Sequence, residues 1–146
     1  MKILVINGVN MNMLGLREPE KYGRMTLSEL ENELKDYAKS LNIELETYQS
    51  NIEGEIVEKI QQSRGVIDGI VLNAAAYTHT SVAIRDAISA AEVPVVEIHM
   101  TNVHAREDFR RKSLIAPVCI GQISGFGKES YILGIKGLVS YLSNGK

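Results

Sequence analysis

Five short apolar runs, Ile3 to Ile6, Ile43 to Tyr48, Ile67 to Leu72, Val93 to Ile98 and Val118 to Ile123, recur along this chain, each followed by a longer amphipathic or polar stretch. The first, third and fourth do not alternate apolar with polar, as expected of strands covered by helices on both faces of a parallel sheet. Regular alternation of strand and helix predicts an α/β fold: a flavodoxin-like, doubly wound, five-stranded parallel sheet of order 2-1-3-4-5 with helices on both faces. A chain of 146 residues is long enough for one domain that buries roughly two-thirds of its unfolded surface, and too short for two ordinary ones. Residues 1–146 are therefore read as a single domain.

The clearest helix start is Thr26, whose hydroxyl can cap while Glu29 stands three residues on, a capping-box pattern. Leu27, Leu30, Leu34, Ala38 and Leu41 then form one apolar face. A second helix is expected from about Glu53, with Ile56, Val57 and Ile60 inward, and a third from about Thr80, with Ala83, Ile84, Ala87 and Ile88 inward. The stretch from Glu129 to Leu142 is apolar on more than one face, which fits either a neighbouring subunit or a deep position within one chain. Residues 9 to 25 make a connection far longer than the usual few residues. It is polar, with Asn10, Asn12, Arg17 and Tyr22 among Gly15 and Gly23, and reads as an active-site lid.

The formal charge of −2 lacks the basic excess of a nucleic-acid or acidic-membrane binder. No run approaches the ~18 apolar residues of a membrane span, and the N-terminus runs directly into the first strand without a signal-peptide core. Cys119 is the only cysteine, which leaves no disulfide framework and no multi-cysteine zinc site. It reads as a small buried hydrophobe in a cytoplasmic protein. There is no G-x-G-x-x-G, because Gly125-Phe126-Gly127 leads to Ser130, no phosphate loop, and no G-x-S-x-G elbow. No cofactor is expected.

In an open parallel sheet the binding crevice lies outside the carboxyl ends of the strands, where strand order reverses. Polar residues gather at those ends: Asn7 and Asn10 after the first strand, Ser50 and Asn51 after the second, Asn73 and then His79 after the third, and Glu97, His99, Thr101 and Asn102 at the fourth. Glu97 and His99 share a strand face. Glu97 either orients His99 so that its other ring nitrogen gives or takes a proton, or the two form a buried, satisfied pair; a metal site, with His104 nearby, is disfavoured. The basic segment Arg106 to Lys112 is either a solvated helix face or a clamp, through Arg106 and Arg110, for an anionic or polyhydroxylated substrate. A flavodoxin-like binding or signalling domain without chemistry is the alternative class. Its receiver form would want carboxylates where this chain has asparagines.

Taken together, these segments resemble the type II 3-dehydroquinases. The resemblance rests on Gly8-Val9-Asn10-Met11-Asn12-Met13-Leu14-Gly15 with Arg17-Glu18-Pro19 and Tyr22-Gly23, on Ser50 to Gly54, on Asn73 to Asp86, on Glu97 to Glu107 with Phe109-Arg110, and on Gly121 to Gly127. It covers nearly the whole chain. Val9 and Met11 stand where that family usually has proline and leucine, Ala74 and Ala75 where it often has Pro-Gly, Thr101 in place of serine and Arg111 in place of histidine. The resemblance implies an anti elimination of water from 3-dehydroquinate through an enolate, at the third step of chorismate biosynthesis in the shikimate pathway. It makes Tyr22 the general base with Arg17 favouring its phenolate, gives Asn10 the water or donor at the enolate oxygen, and makes His99, oriented by Glu97, the acid. Asn73 and the amides of Met100 and Thr101 would bind the substrate carboxylate, and His79 and Arg110 the ring hydroxyls. Asp86 would reach the site of an adjacent subunit in a homododecamer, a tetramer of trimers.

Overall fold

The computed structural model describes residues 1–145, with the side chains of Lys21 and Tyr22 outside the described part. Strands β1 (Lys2–Asn7), β2 (Glu44–Gln49), β3 (Gly69–Asn73), β4 (Val95–His99) and β5 (Gly121–Ser124) form one sheet in the order β2-β1-β3-β4-β5. Every neighbouring pair is parallel. The helices are the one-turn α1 (Pro19–Tyr22), then α2 (Leu27–Ser40), α3 (Glu53–Gln62), α4 (Val82–Ala91) and α5 (Glu129–Ser143). None is long and apolar enough to cross a membrane among the described residues.

The strand period of two assigns alternate residues to opposite layers. Ile3, Val5, Val71, Val96 and Ile98 meet Leu30, Leu34 and Ala38 of α2 and Tyr131, Ile135 and Leu138 of α5. Leu4, Ile6, Ile70, Leu72 and Val95 meet Ile56 and Ile60 of α3 and Ile84, Ala87 and Ile88 of α4. Each valine, leucine or isoleucine among them contributes roughly 1.5–3 kcal/mol when fully withdrawn from water. Covered on both faces, the central strands can be apolar throughout, which is why they carry no alternation.

Local chemistry sets the element ends. Thr26 and Glu29 form the capping box expected for α2: the Thr26 hydroxyl accepts from the Glu29 N–H at 3.2 Å, and the Glu29 carboxylate accepts from the Thr26 N–H at 3.1 Å. For α4 the cap is Ser81 and not Thr80, its hydroxyl accepting from Ile84 N–H at 2.9 Å. Ala83, expected inward, is exposed, and the buried face of α4 is Ile84, Ala87, Ile88 and Ala91. β4 begins after Pro94, which has no N–H for a ladder, and β5 only at Gly121, because Ala116–Val118 form a 3-10 turn in which the Val118 and Cys119 N–H groups donate to Ile115 and Ala116. One apolar face of the C-terminal helix lies deep within the chain, while Leu133 on another face is exposed. Tyr131, Ile135 and Leu138 are fully buried, and at Gly134 an added Cβ would stand 2.8 Å from Ile98 Cγ2, so the helix lies close on the sheet.

Gly8 forms the other tight approach. It donates its N–H to the Asn73 carbonyl at 2.8 Å, continuing the β1 to β3 ladder one residue beyond the strands. A Cβ there would lie 2.5 Å from the Ala74 carbonyl oxygen, a backbone atom that cannot rotate away. Gly8→Ala is therefore expected to cost about 1–3 kcal/mol of stability by overpacking. Urea unfolding of the two proteins measures the difference, and an unchanged midpoint would show that the loop yields freely.

Candidate active site

Because the strands are parallel and in register, β1 and β3 end level, with Asn7 opposite Asn73, and β4 ends beside them. The chain leaving those ends encloses a cleft of about 220 Å³. Asn10, Arg17, Asn73, His79, His99, Met100, Thr101 and Arg110, from four separated segments, all line it.

His99 forms part of its floor and is 6% exposed, while Glu97 behind it is fully buried. The Glu97 carboxylate accepts a short hydrogen bond from His99 Nε2. It accepts two more, from Ser113 Oγ at 2.9 Å and from Gln122 Nε2 at 3.0 Å. Burial pushes the Glu97 carboxyl up, but the bond and charge of His99, with the bonds from Gln122 and Ser113, outweigh it and hold the pKa below the ordinary 4.5. The charge is thus retained in the interior, and among the described residues the Nδ1 of His99 has no hydrogen-bond partner. The pair is buried, as the second reading of its spacing has it, and the His99 ring lines the cleft, as the first requires.

His79 stacks on His99 with ring centroids 6.3 Å apart and planes 18° from parallel. Its Nδ1 lies 2.8 Å from the Lys112 carbonyl, which can only accept, so Nδ1 carries the hydrogen and Nε2 is left for a ligand. Arg110 is braced by Glu107, which accepts from its Nε at 2.8 Å, and that bond, the largest cause, holds the Glu107 carboxyl down at about 2. Asn10 adopts φ 68 and ψ 0, a left-handed conformation that asparagine tolerates, and its N–H donates to Asn51 Oδ1 at 2.9 Å. Ala75, on the cleft wall, also has positive φ, 53. There the glycine that the resembling family often carries would avoid a strain of roughly 1–2 kcal/mol. The carbonyls of His99 and Met100 accept from Gly125 and Gly127, at 3.2 and 2.8 Å, which pins the segment carrying the Met100 and Thr101 amides.

Residues 9 to 25 do not form one loose loop. Met11 and Leu14 are buried in the α2 and α5 layer around a short 3-10 turn, whereas Leu16, Arg17, Gly23 and Arg24 are exposed. Arg17 lies against Glu18 at 3.2 Å and lines the cleft. The role implied for the Tyr22 side chain falls outside the described residues. Asp86 sits on an exposed face of α4 and does not line the cleft of its own chain, and neither does His104.

The segment 106–112 is not a helix. It contains one 3-10 turn, Asp108–Arg110, and follows another at Val103–Ala105, because the Asn102 side chain caps the earlier turn and Arg106 is extended between the two. Both arginines nevertheless reach the cleft. Arg106, with a side chain only 14% exposed and Nη1 3.5 Å from Thr101 Oγ1, has no role in the assignment above, although its spacing from Arg110 signals it. Ser113 and Gln122 are legible only after folding. Gln122 stands opposite Glu97 in the β4 to β5 register, and nothing in the sequence couples the two. Cys119 packs half-buried against the α3 and α4 layer, and burial, reinforced by the Glu97 charge, pushes its thiol up to about 12.

A family model described as dehydroquinase class II matches residues 1–139. The 3-dehydroquinate dehydratase of Geotalea daltonii is 55% identical over 142 residues, covering 97% of this chain and 99% of that one. The crystal structure of a type II dehydroquinase from Butyrivibrio crossotus superposes with a TM-score of 0.93 at 50% identity, covering 95% and 97% of the two chains. One from Propionibacterium acnes gives 0.92 at 35% identity, covering 95% and 96%.

A carboxyl whose pKa is lower folded than unfolded stabilises the fold above the unfolded value, and that contribution is lost as pH falls through the folded value. For Glu97, lowered from 4.5, the loss is expected on acidification below about 4.5. Glu97→Gln should remove that part of the pH dependence and lower stability at neutral pH. Urea unfolding of both proteins between pH 7 and pH 3 checks this; an identical acid limb would show that Glu97 does not carry it.

Proposed function

The chain belongs to the dehydroquinase class II family, and on that premise we propose that it is a 3-dehydroquinate dehydratase, a hydro-lyase (EC 4.2.1.10) that converts 3-dehydroquinate to 3-dehydroshikimate without a cofactor. The observation that supports this most is the convergence of Asn10, Arg17, Asn73, His79, His99 and Arg110 on one cleft whose histidine is locked by a buried carboxylate.

The elimination divides into two proton transfers. Tyr22, as phenolate, takes the proton from C2 and leaves an enolate. An unperturbed tyrosine titrates near ~10, so the base needs a neighbouring cation to be ionised at neutral pH. Arg17, five residues away and lining the same cleft, supplies it. Asn10 holds the water or donor that meets the charge developing on the enolate oxygen. The C1 carbon–oxygen bond then breaks as imidazolium His99 passes a proton to the departing hydroxyl, releasing water. Glu97 keeps the ring oriented. Each turnover moves one proton onto Tyr22 and one off His99, and solvent resets the pair.

Asn73 and the backbone amides of Met100 and Thr101 bind the substrate carboxylate, while His79 and Arg110 hold ring hydroxyls. The exposed half of the long loop, from Gly15 onward, acts as the lid over a floor anchored by Met11 and Leu14. Asp86, outward on α4, completes the site of a neighbouring copy in a dodecamer of four trimers. The enzyme works in the cytoplasm at the third step of chorismate biosynthesis.

Mixing the purified protein with 3-dehydroquinate tests the activity directly, since the enone product absorbs in the ultraviolet. Absorbance growth abolished by omitting the protein is expected, and a flat trace would remove the assignment. Tyr22→Phe should then lower kcat by about 100-fold to 10,000-fold with little change in binding, as loss of a general base does. Arg17→Ala should approach it, and the two losses should be strongly non-additive, because Arg17 has little to activate once the hydroxyl is gone. Exchange of the C2 hydrogen with solvent is the sharper measurement: a Tyr22→Phe protein exchanging at the wild-type rate would mean that another residue is the base.

A further inference from the structure

Behind the cleft, one buried hydroxyl has no part in the chemistry described so far. Tyr131, on α5, is fully buried between the ends of β1 and β3. Its Oη accepts from Asn73 Nδ2 at 2.9 Å and donates to Asn7 Oδ1 at 2.5 Å. Asn7 is also fully buried, and Asn73 is 4% exposed.

The polarity of this chain is set at Ala75. Its N–H donates to Asn73 Oδ1 at 3.1 Å, so the Asn73 amide must present Nδ2, not oxygen, to the tyrosine. The tyrosine accepts there and has its own hydrogen left for Asn7. Burial pushes the Tyr131 phenol above its ordinary value, which keeps that hydrogen in place. Of the two Asn73 amide hydrogens, one is thus consumed by Tyr131. Among the described residues the other faces only Met11 Sδ at 3.7 Å, and a thioether is a weak acceptor. Met11 and Asn73 both line the cleft. An anionic oxygen arriving there would meet an N–H already aimed and poorly satisfied.

We propose that Tyr131 is a positioning residue, which fixes the Asn73 amide from behind so that its second N–H points at the substrate carboxylate. The proposal rests on the functional reading above, in which Asn73 meets that carboxylate. Without the hydroxyl, Nδ2 loses its strong acceptor and the amide can rotate away from the ligand.

Tyr131→Phe removes one oxygen and keeps the ring that fills the core. Asn7→Ala is the second variant, in case the first does not fold: it releases the hydroxyl from its acceptor, and the Asn7 Nδ2 it deletes has no partner among the described residues. Steady-state rates with 3-dehydroquinate, and equilibrium binding of 3-dehydroshikimate and of its methyl ester, are measured for each folded protein. For Tyr131→Phe, KM should rise and acid affinity fall by about 10-fold, the scale of a hydrogen bond to a charged group. kcat and ester binding should change less than about 3-fold, and Asn7→Ala should repeat the pattern more weakly. Acid and ester affinities falling together would mean general loosening and overturn the proposal, as would an unchanged KM or a loss confined to kcat. Wild-type turnover separates the two readings. If the wild type dehydrates the substrate, the variants test the brace alone; if it does not, the functional reading falls and the brace with it.

Discussion

Parallel pairing of β1 with β3, in a register that sets Asn7 opposite Asn73, is the constraint on which the rest depends. Level strand ends deliver the first loop, the Asn73 turn and the His99 segment to one place. A slip of one residue would turn every side chain of a strand to the other face. Leu4 and Ile6 would then exchange layers with Ile3 and Val5, and the asparagines would no longer meet Tyr131. The same apolar packing that stabilises the sheet therefore sets the positions of the polar groups at its end. The extra β1 to β3 contact through Gly8 carries that alignment into the first loop, where only a residue without Cβ can pass the Ala74 carbonyl.

Two kinds of buried polarity meet at that end and are treated differently. Around Glu97 an ionised carboxylate is kept in the interior because three donors, the His99 imidazole among them, offset the cost of removing it from water. Around Tyr131 the groups are neutral amides and a phenol that retains its proton. The first arrangement controls charge, the second only direction. Both lie behind the residues that line the cleft, so the walls of the site are positioned from the core outward and not by the loops alone. The outer wall follows the opposite rule: Arg110 is braced by exposed Glu107, a contact that salt screens readily.

Much of this was legible in the linear chain. Strand number, order and the two-sided covering followed from apolar runs that do not alternate, and the α2 cap from Thr26 and Glu29. The clustering of Asn10, Asn73, His79 and His99 followed from the rule that polar residues at parallel strand ends share a crevice. What failed did so locally. Segment 106–112 has helical spacing of its arginines but holds only the 3-10 turn Asp108–Arg110, because Asn102 caps a short turn just before it and Arg106 is extended. Ala83, expected inward on α4, is exposed, and the cap is Ser81 instead of Thr80.

The sequence by itself determined which residues are apolar, at what period, and which polar groups end each strand, because those properties depend on spacing along the chain. Only the tertiary structure decided that Gln122 and Ser113 donate to Glu97, that Tyr131 joins Asn7 to Asn73, and that Met11 faces the same amide. Those partners are separated by 16 to 124 residues along the chain. Hydrogen bonds act over about 3 Å and leave no periodic trace in sequence. Their existence depends on the register of strands and the seating of α5, which packing of the whole core sets at once.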